Sequence, residues 1–128
     1  MKTQLLFILI LILFVGCGDD ILLSPANQST YREVAYNSLD ENSKASITIN
    51  WKDAKVEDGK YIKEGERHIL KLSSGEEIPF LLSNGIIMIK NHRLVAVTFN
   101  TINDPLLGPI IIIVDPGQIK VVGIVGRM

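Results

Sequence analysis

The stretch Pro109-Ile110-Ile111-Ile112-Ile113-Val114-Asp115-Pro116 constrains the fold more than any other. Side chains of a strand point alternately to opposite faces, so an unbroken run of β-branched apolar residues needs cover above and below. A chain of 128 residues is enough for one domain and too short for two ordinary ones. Helices of the same chain, expected within residues 30–49, cover one face. The other face is covered either by the sheet curling on itself or by a second chain, a lipid surface or an apolar ligand. Soluble monomers seldom expose contiguous patches beyond roughly a few hundred Å², which favours the curled sheet.

Ahead of the strands, Tyr31, Val34 and Ala35 stand at helical spacing and predict a short helix from residue 30. Ser38-Leu39-Asp40-Glu41 has the form of a capping box and predicts a second helix to about Ile49. Trp51 and Ala54 are expected to close the joint between helix and sheet, because an indole buries a large area.

After Asp58-Gly59 the pattern changes to short strands separated by turn chemistry. Ser73-Ser74-Gly75 separates His68–Leu72 from Ile78–Leu82. Ser83-Asn84-Gly85 predicts a hairpin into a strand over Ile86–Lys90. Asn91-His92 leads into Arg93–Asn100, and Asp115-Pro116-Gly117-Gln118 suits a type II turn. Pro79 cannot donate to a ladder, so its strand belongs at an edge or a bulge. The expected fold class is α+β, with short N-terminal helices packed on an antiparallel β-meander sheet of about six strands, forming a single domain over residues 29–128.

The chemical inventory is thin. His68 and His92 lack the spacing of a zinc pair, and a solvated surface role is expected for both. Cys17 is the only cysteine, so neither an internal disulfide nor a thiolate metal site can form. Ser73-Ser74-Gly75 lacks a nucleophile elbow, and Gly123 and Gly126 form no phosphate cradle. Asp53, Glu57 and Asp58 lack the alternation of a calcium loop, and the pairs Glu64/Glu66 and Glu76/Glu77 read as edge solubilisers. No metal, cofactor or catalytic set is expected. A net charge of −1 leaves no basic footprint for nucleic acid. The feature left over is the apolar loop 101–108, in which Asp104, Pro105, Leu106 and Leu107 are the candidate partner-binding residues.

At the N-terminus, Lys2 precedes an apolar run from Leu5 to Val15 and then Gly16-Cys17-Gly18-Asp19-Asp20. A spanning helix needs about 20 apolar residues, whereas a signal-peptide core needs about 7–15. Leu13-Phe14-Val15-Gly16-Cys17 resembles a bacterial lipobox, with Phe14 where leucine is usual. That resemblance implies a lipoprotein signal peptide over residues 1–16, lipid (diacylglycerol and an amide-linked acyl chain such as palmitate) on Cys17, a lipidated tether over 17–28, and anchoring at the outer face of the cell membrane. Two or more acyl chains anchor stably. The Ile21-Leu22-Leu23 patch either lies on the bilayer or packs on the domain.

The segment Trp51–Met128, with Leu94–Thr101, Asp104–Pro109 and a closing Asp115, resembles small lipoproteins of Gram-positive bacteria, chiefly bacilli, a group without an assigned function. The last third is also weakly similar to PepSY-type domains, which implies a regulator outside the membrane and transfers no functional residue. The function these readings imply is a lipid-anchored extracytoplasmic binding or regulatory module that engages an envelope protein, or a second copy of itself, and is not catalytic. The alternative is a carrier whose curled sheet encloses a small apolar ligand.

Overall fold

The apolar run at residues 110–114 is covered on both faces by its own chain. In the computed structural model, which describes residues 21–126, six antiparallel strands close into a barrel in the order β1-β2-β3-β6-β5-β4. They are β1 (Lys55–Glu64), β2 (Arg67–Leu72), β3 (Glu77–Leu82), β4 (Arg93–Phe99), β5 (Ile110–Asp115) and β6 (Lys120–Ile124). Three helices accompany them: α1 (Pro25–Asn37), α2 (Glu41–Ser46) and the single turn α3 (Asp104–Leu107). Short 3-10 turns stand at Ile21–Leu23 and Trp51–Asp53.

Alternation along β4 and β5 separates two apolar clusters. Leu94, Ala96 and Ile113 face the barrel interior with Tyr61, Leu70, Leu72, Phe80 and Val122. Val95, Val97, Phe99, Ile110, Ile112 and Val114 face outward, where Tyr31, Ala35 and Leu39 cover them. The interior is thus filled by the barrel's own side chains. Leu70, Leu94, Phe99 and Ile113 are fully buried, so truncating any of them to alanine costs about 2–5 kcal/mol.

The α+β class and the antiparallel six-strand sheet agree with expectation; the meander does not. β3 never returns beside β4. It joins β6 through Leu81↔Ile124 and Leu82↔Gly123, while β4 crosses over to pair with β1, Lys55↔Thr98 through Lys60↔Arg93. The expected strand over Ile86–Lys90 is absent. Its turn forms, with Gly85 at φ 79° and Ile86 N–H donating to Ser83 O, but the chain then runs across the barrel mouth. Ile86 and Met88 pack onto the interior cluster there, and the ladder position beside β3 that a hairpin needs is held by β6.

Other boundaries move for local reasons. Asp58-Gly59, expected as the boundary ahead of the strands, lies inside β1, where Gly59 permits a close approach of β2. The expected linker at residues 25–28 is the first turn of α1, capped by Ser24, whose side chain accepts from Asn27 N–H, with Pro25 at the first position. Ser38 closes α1 instead of opening α2, because Asp40 caps α2 by accepting from Ser43 N–H at 2.7 Å. α2 ends at Ser46, where the chain turns to a bridge between Ile47 and Thr101. The type II turn at 115–118 is also corrected. Asp115 Oδ1 accepts from Gly117 N–H at 2.9 Å, Gly117 keeps a negative φ, and the left-handed position falls on Ile119 at φ 52°. Pro79 does lie on the stretch of β3 that β6 does not reach.

Two contacts set the direction of α1. Near its end, Tyr36 stacks on Trp51 with ring centroids 5.3 Å apart. One turn earlier, Arg32 Nε–H donates to Ala54 O at 2.6 Å. The second half of α1 is therefore held against the segment Trp51–Ala54 that leads into β1, and Tyr36 also meets Phe99 at the end of β4. Leu22 and Leu23, just ahead of α1, pack on the outer cluster, which places those two side chains on the domain. Residues 1–20, with Cys17 and the lipobox, lie outside the described residues.

Candidate functional site

The barrel has two rims of different chemistry. One is formed by the β4–β5 connection, the β2–β3 turn and the 3-10 turn ahead of β1, and is here the leucine rim. The other is formed by the β1–β2 turn, the β3–β4 connection and the β5–β6 turn, and is the histidine rim.

All four candidate partner-binding residues stand on the leucine rim, and they divide by role. Asp104 is committed internally: its Oδ1 accepts from Thr101 N–H at 2.8 Å and from Thr101 Oγ1–H at 2.9 Å. Thr101 is buried, and its Oγ1 accepts in turn from Asn103 N–H at 3.2 Å. Pro105 is exposed and preorganises the first turn of α3. Backbone bonds from Ile102 N–H to Ser46 O and from Thr48 N–H to Asn100 O tie this loop to the end of α2. On that framework Leu106 is 86% exposed, Ile102 is 69% exposed and Leu107 also reaches solvent. A loop folded down over the core would bury these side chains. Asp104 and Thr101 hold the turn, and the aliphatic residues face out.

The histidine rim holds what the sequence did not reveal. Neither histidine is a solvated surface group. The Tyr61 hydroxyl and His68 Nδ1 lie 2.7 Å apart in a hydrogen bond whose direction follows the tautomer, and Phe80 packs edge-on to Tyr61. Burial pushes the Tyr61 hydroxyl above its ordinary value, since the interior disfavours a phenolate. His92 Nε2–H donates to Asp115 Oδ2 at 3.0 Å, and the carboxylate is buried. Asp115 ends an otherwise apolar strand, and a buried carboxylate requires partners; that is the one signal which pointed here. His92 lies 23 residues from it, a distance that topology alone closes.

Beside this pair is a cleft of about 380 Å³ between the Gly85–Ile89 segment and Gln118 and Val122. Ile86 and Met88 turn inward from that segment, while Ile87 and Ile89 are 94% and 72% exposed. A larger cleft, about 500 Å³, lies on the outer wall by Lys60, Ile62 and Lys71, where Arg93 donates to Asp58 at 2.8 Å. Among the described residues no three His, Cys, Asp or Glu side chains converge as metal ligands, and neither imidazole bonds to a serine or cysteine. As it stands, the His92–Asp115 pair fixes one imidazole orientation at the rim.

Charge is distributed unevenly along the barrel. Asp40, Glu41, Asp53, Glu76, Glu77 and Asp104 stand at the leucine rim with Lys44, Lys52 and Lys55, while Lys63, Arg67, Lys90 and Lys120 stand on the histidine rim with Glu64 and Glu66. No protein-family model, curated protein or solved structure matches the chain.

Proposed function

We propose that this chain is an extracytoplasmic binding module, held at the outer face of the cell membrane by lipid on Cys17, that engages another envelope protein through the leucine rim. The observation that carries the reading is the exposure of Ile102, Leu106 and Leu107 on a turn held rigid by Asp104 and Thr101. A side chain ordered in advance loses little entropy on association, and a small aliphatic cluster rimmed by carboxylates has the anatomy of a binding site. The filled barrel interior supports an outward-facing surface over an enclosed apolar cargo.

The test is co-purification of the tagged full chain from detergent-solubilised membranes, compared with a Leu106→Ser/Leu107→Ser form and a Cys17→Ala form. Loss of a stoichiometric partner in the double variant, with its melting temperature unchanged, is the expected result. Unfolding of that variant would show that the leucines serve the core, and an unchanged partner would remove the leucine rim from the interface.

A further inference from the structure

We propose that the histidine rim seats in the headgroup boundary of the same bilayer, with Ile87, Ile89 and Ile119 as the inserted side chains. The inference rests on the lipid anchor at Cys17 and adds a second, protein-borne membrane contact to it.

Four observations converge on this rim. The first is tether geometry. The end of α1 is held at the leucine rim by Trp51, Phe99 and Ala54, while Val121, at the other end of the barrel, joins the outer cluster on which the helix lies, so the start of α1 points toward the histidine rim. Only four residue steps separate Cys17 from Ile21, and a chain extends at most about 3.5 Å per residue. Whatever path it takes, the Cα of Cys17 therefore stays within about 14 Å of that of Ile21. The barrel cannot stand far from the bilayer, and this rim is the one turned toward it.

The second observation is rigid presentation. Ile86 and Met88 plug the barrel mouth, and this fixes the alternate residues Ile87 and Ile89 outward at 94% and 72% exposure. The third is Ile119. It holds a left-handed backbone at φ 52°, a conformation that asparagine and glycine adopt with ease and a β-branched residue does not. It is also 47% exposed, so its side chain recovers little by burial within the domain. An isoleucine in that conformation on the same rim as two other exposed isoleucines is explained by an apolar phase outside the protein. The fourth is charge. Lys63, Arg67, Lys90 and Lys120 surround this rim against Glu64 and Glu66, Asp115 being paired with His92. A cationic collar around an apolar tip suits an anionic leaflet. The carboxylate-rich leucine rim then faces away from the lipid, where a protein partner has access.

The experiment uses the full lipidated chain in vesicles of phosphatidylglycerol and phosphatidylethanolamine. Lipidation occupies the only native thiol, so Ile87→Cys and, separately, Leu106→Cys each introduce one labelling site for a polarity-sensitive nitrobenzoxadiazole dye. Both positions are exposed, and unchanged melting temperatures verify the fold. The expected result is a blue-shifted emission at position 87, quenched at least about fivefold more strongly by a lipid-borne quencher than the dye at position 106. Water-like emission at both positions, on protein that co-floats with the vesicles and carries the acyl mass on Cys17, would overturn the seating while leaving the anchor intact. Quenching at 106 in place of 87 would overturn it by inverting the barrel. A Cys17 mass without acyl chains would remove the anchor and the seating together. In a parallel series, Ile87→Ser/Ile89→Ser is expected to abolish the shift of a dye at Ile119→Cys.

Discussion

Gly59 offers the sharpest test of the barrel, because the sequence reads Asp58-Gly59 as the boundary ahead of the strands and its place in the fold is mid-strand. A methyl group added there points into the interior. It would collide with Lys71 O and lie 2.9 Å from both Leu72 Cα and Leu70 Cδ1. The leucine tip can move aside; the two backbone atoms belong to the β1–β2 ladder and cannot move without displacing it. Overpacking of this kind costs about 1–3 kcal/mol, and two backbone contacts place Gly59→Ala near 3 kcal/mol. For a domain of this size each kcal/mol shifts the melting temperature by about 4–8 °C, so a fall of about 12–24 °C is expected. Urea titration followed by Trp51, the single indole, reads the same change as a lower midpoint with an unchanged slope. The control is Gly75→Ala, where the added methyl meets open space and only a positive φ of 97° is strained. If Gly59→Ala were as mild as that control, β1 could not pass over β2 at this point, and the closed barrel would be refuted.

The strained turn makes the opposite prediction: Ile119→Gly should stabilise the domain by about 1 kcal/mol, seen as a higher melting temperature, since a left-handed conformation costs an L-residue about 1–2 kcal/mol. Gly123→Ala should destabilise by about 2 kcal/mol, because its methyl would lie 2.6 Å from the Phe80 ring and 2.7 Å from Leu81 O at the β3–β6 seam. Asp40 is held below its ordinary 3.8 by the amide and hydroxyl of Ser43, so its contribution is complete above that value and lost as pH falls through the folded one. Urea midpoints at pH 7 and pH 3 should therefore converge more closely in Asp40→Asn than in the wild type. Tyr61→Phe should cost about 1 kcal/mol at neutral pH through the lost bond to His68. Because burial raises the Tyr61 value above 10.0, stability also declines as pH climbs past 10, and the variant should decline less.

The parts of the fold legible in the sequence obey local rules. The run Ile110–Val114 required two covers, and the curled sheet with α1 supplies them. The segments 68–72, 78–82 and 93–99 were legible as strands because turn residues bracket apolar alternation. The segment 86–90 misled for a physical reason: a plug across a barrel mouth alternates in and out as a strand does, and only its pairing tells the two apart. Ser24-Pro25 carried a helix-start signal, obscured by the polar residues after it, whose outward face resembles a linker. The rim chemistry depended on strand register. Tyr61 meets His68 across the β1–β2 hairpin, and His92 meets Asp115 only once β4 has paired with β5. Leu106 and Leu107 were visible as an apolar loop, yet their exposure follows from Asp104 turning inward to Thr101, a choice that composition does not encode.

The placement of α1 carries a consequence for how the molecule comes into being. The first helix of the described chain rests on β4, β5 and β6, so the floor under Tyr31 and Ala35 is incomplete until residues beyond 110 exist. The same delay applies to the seam, where Leu82 waits for Gly123. Closing such long loops adds little to the equilibrium cost, since each doubling of length adds only about 0.6 kcal/mol, but it slows the search. A chain stopped short of β6 lacks Val121 under its helix and the strand that closes its sheet. The domain is therefore completed from its C-terminal end, and a nascent chain remains open to chaperones and proteases until its last strand emerges.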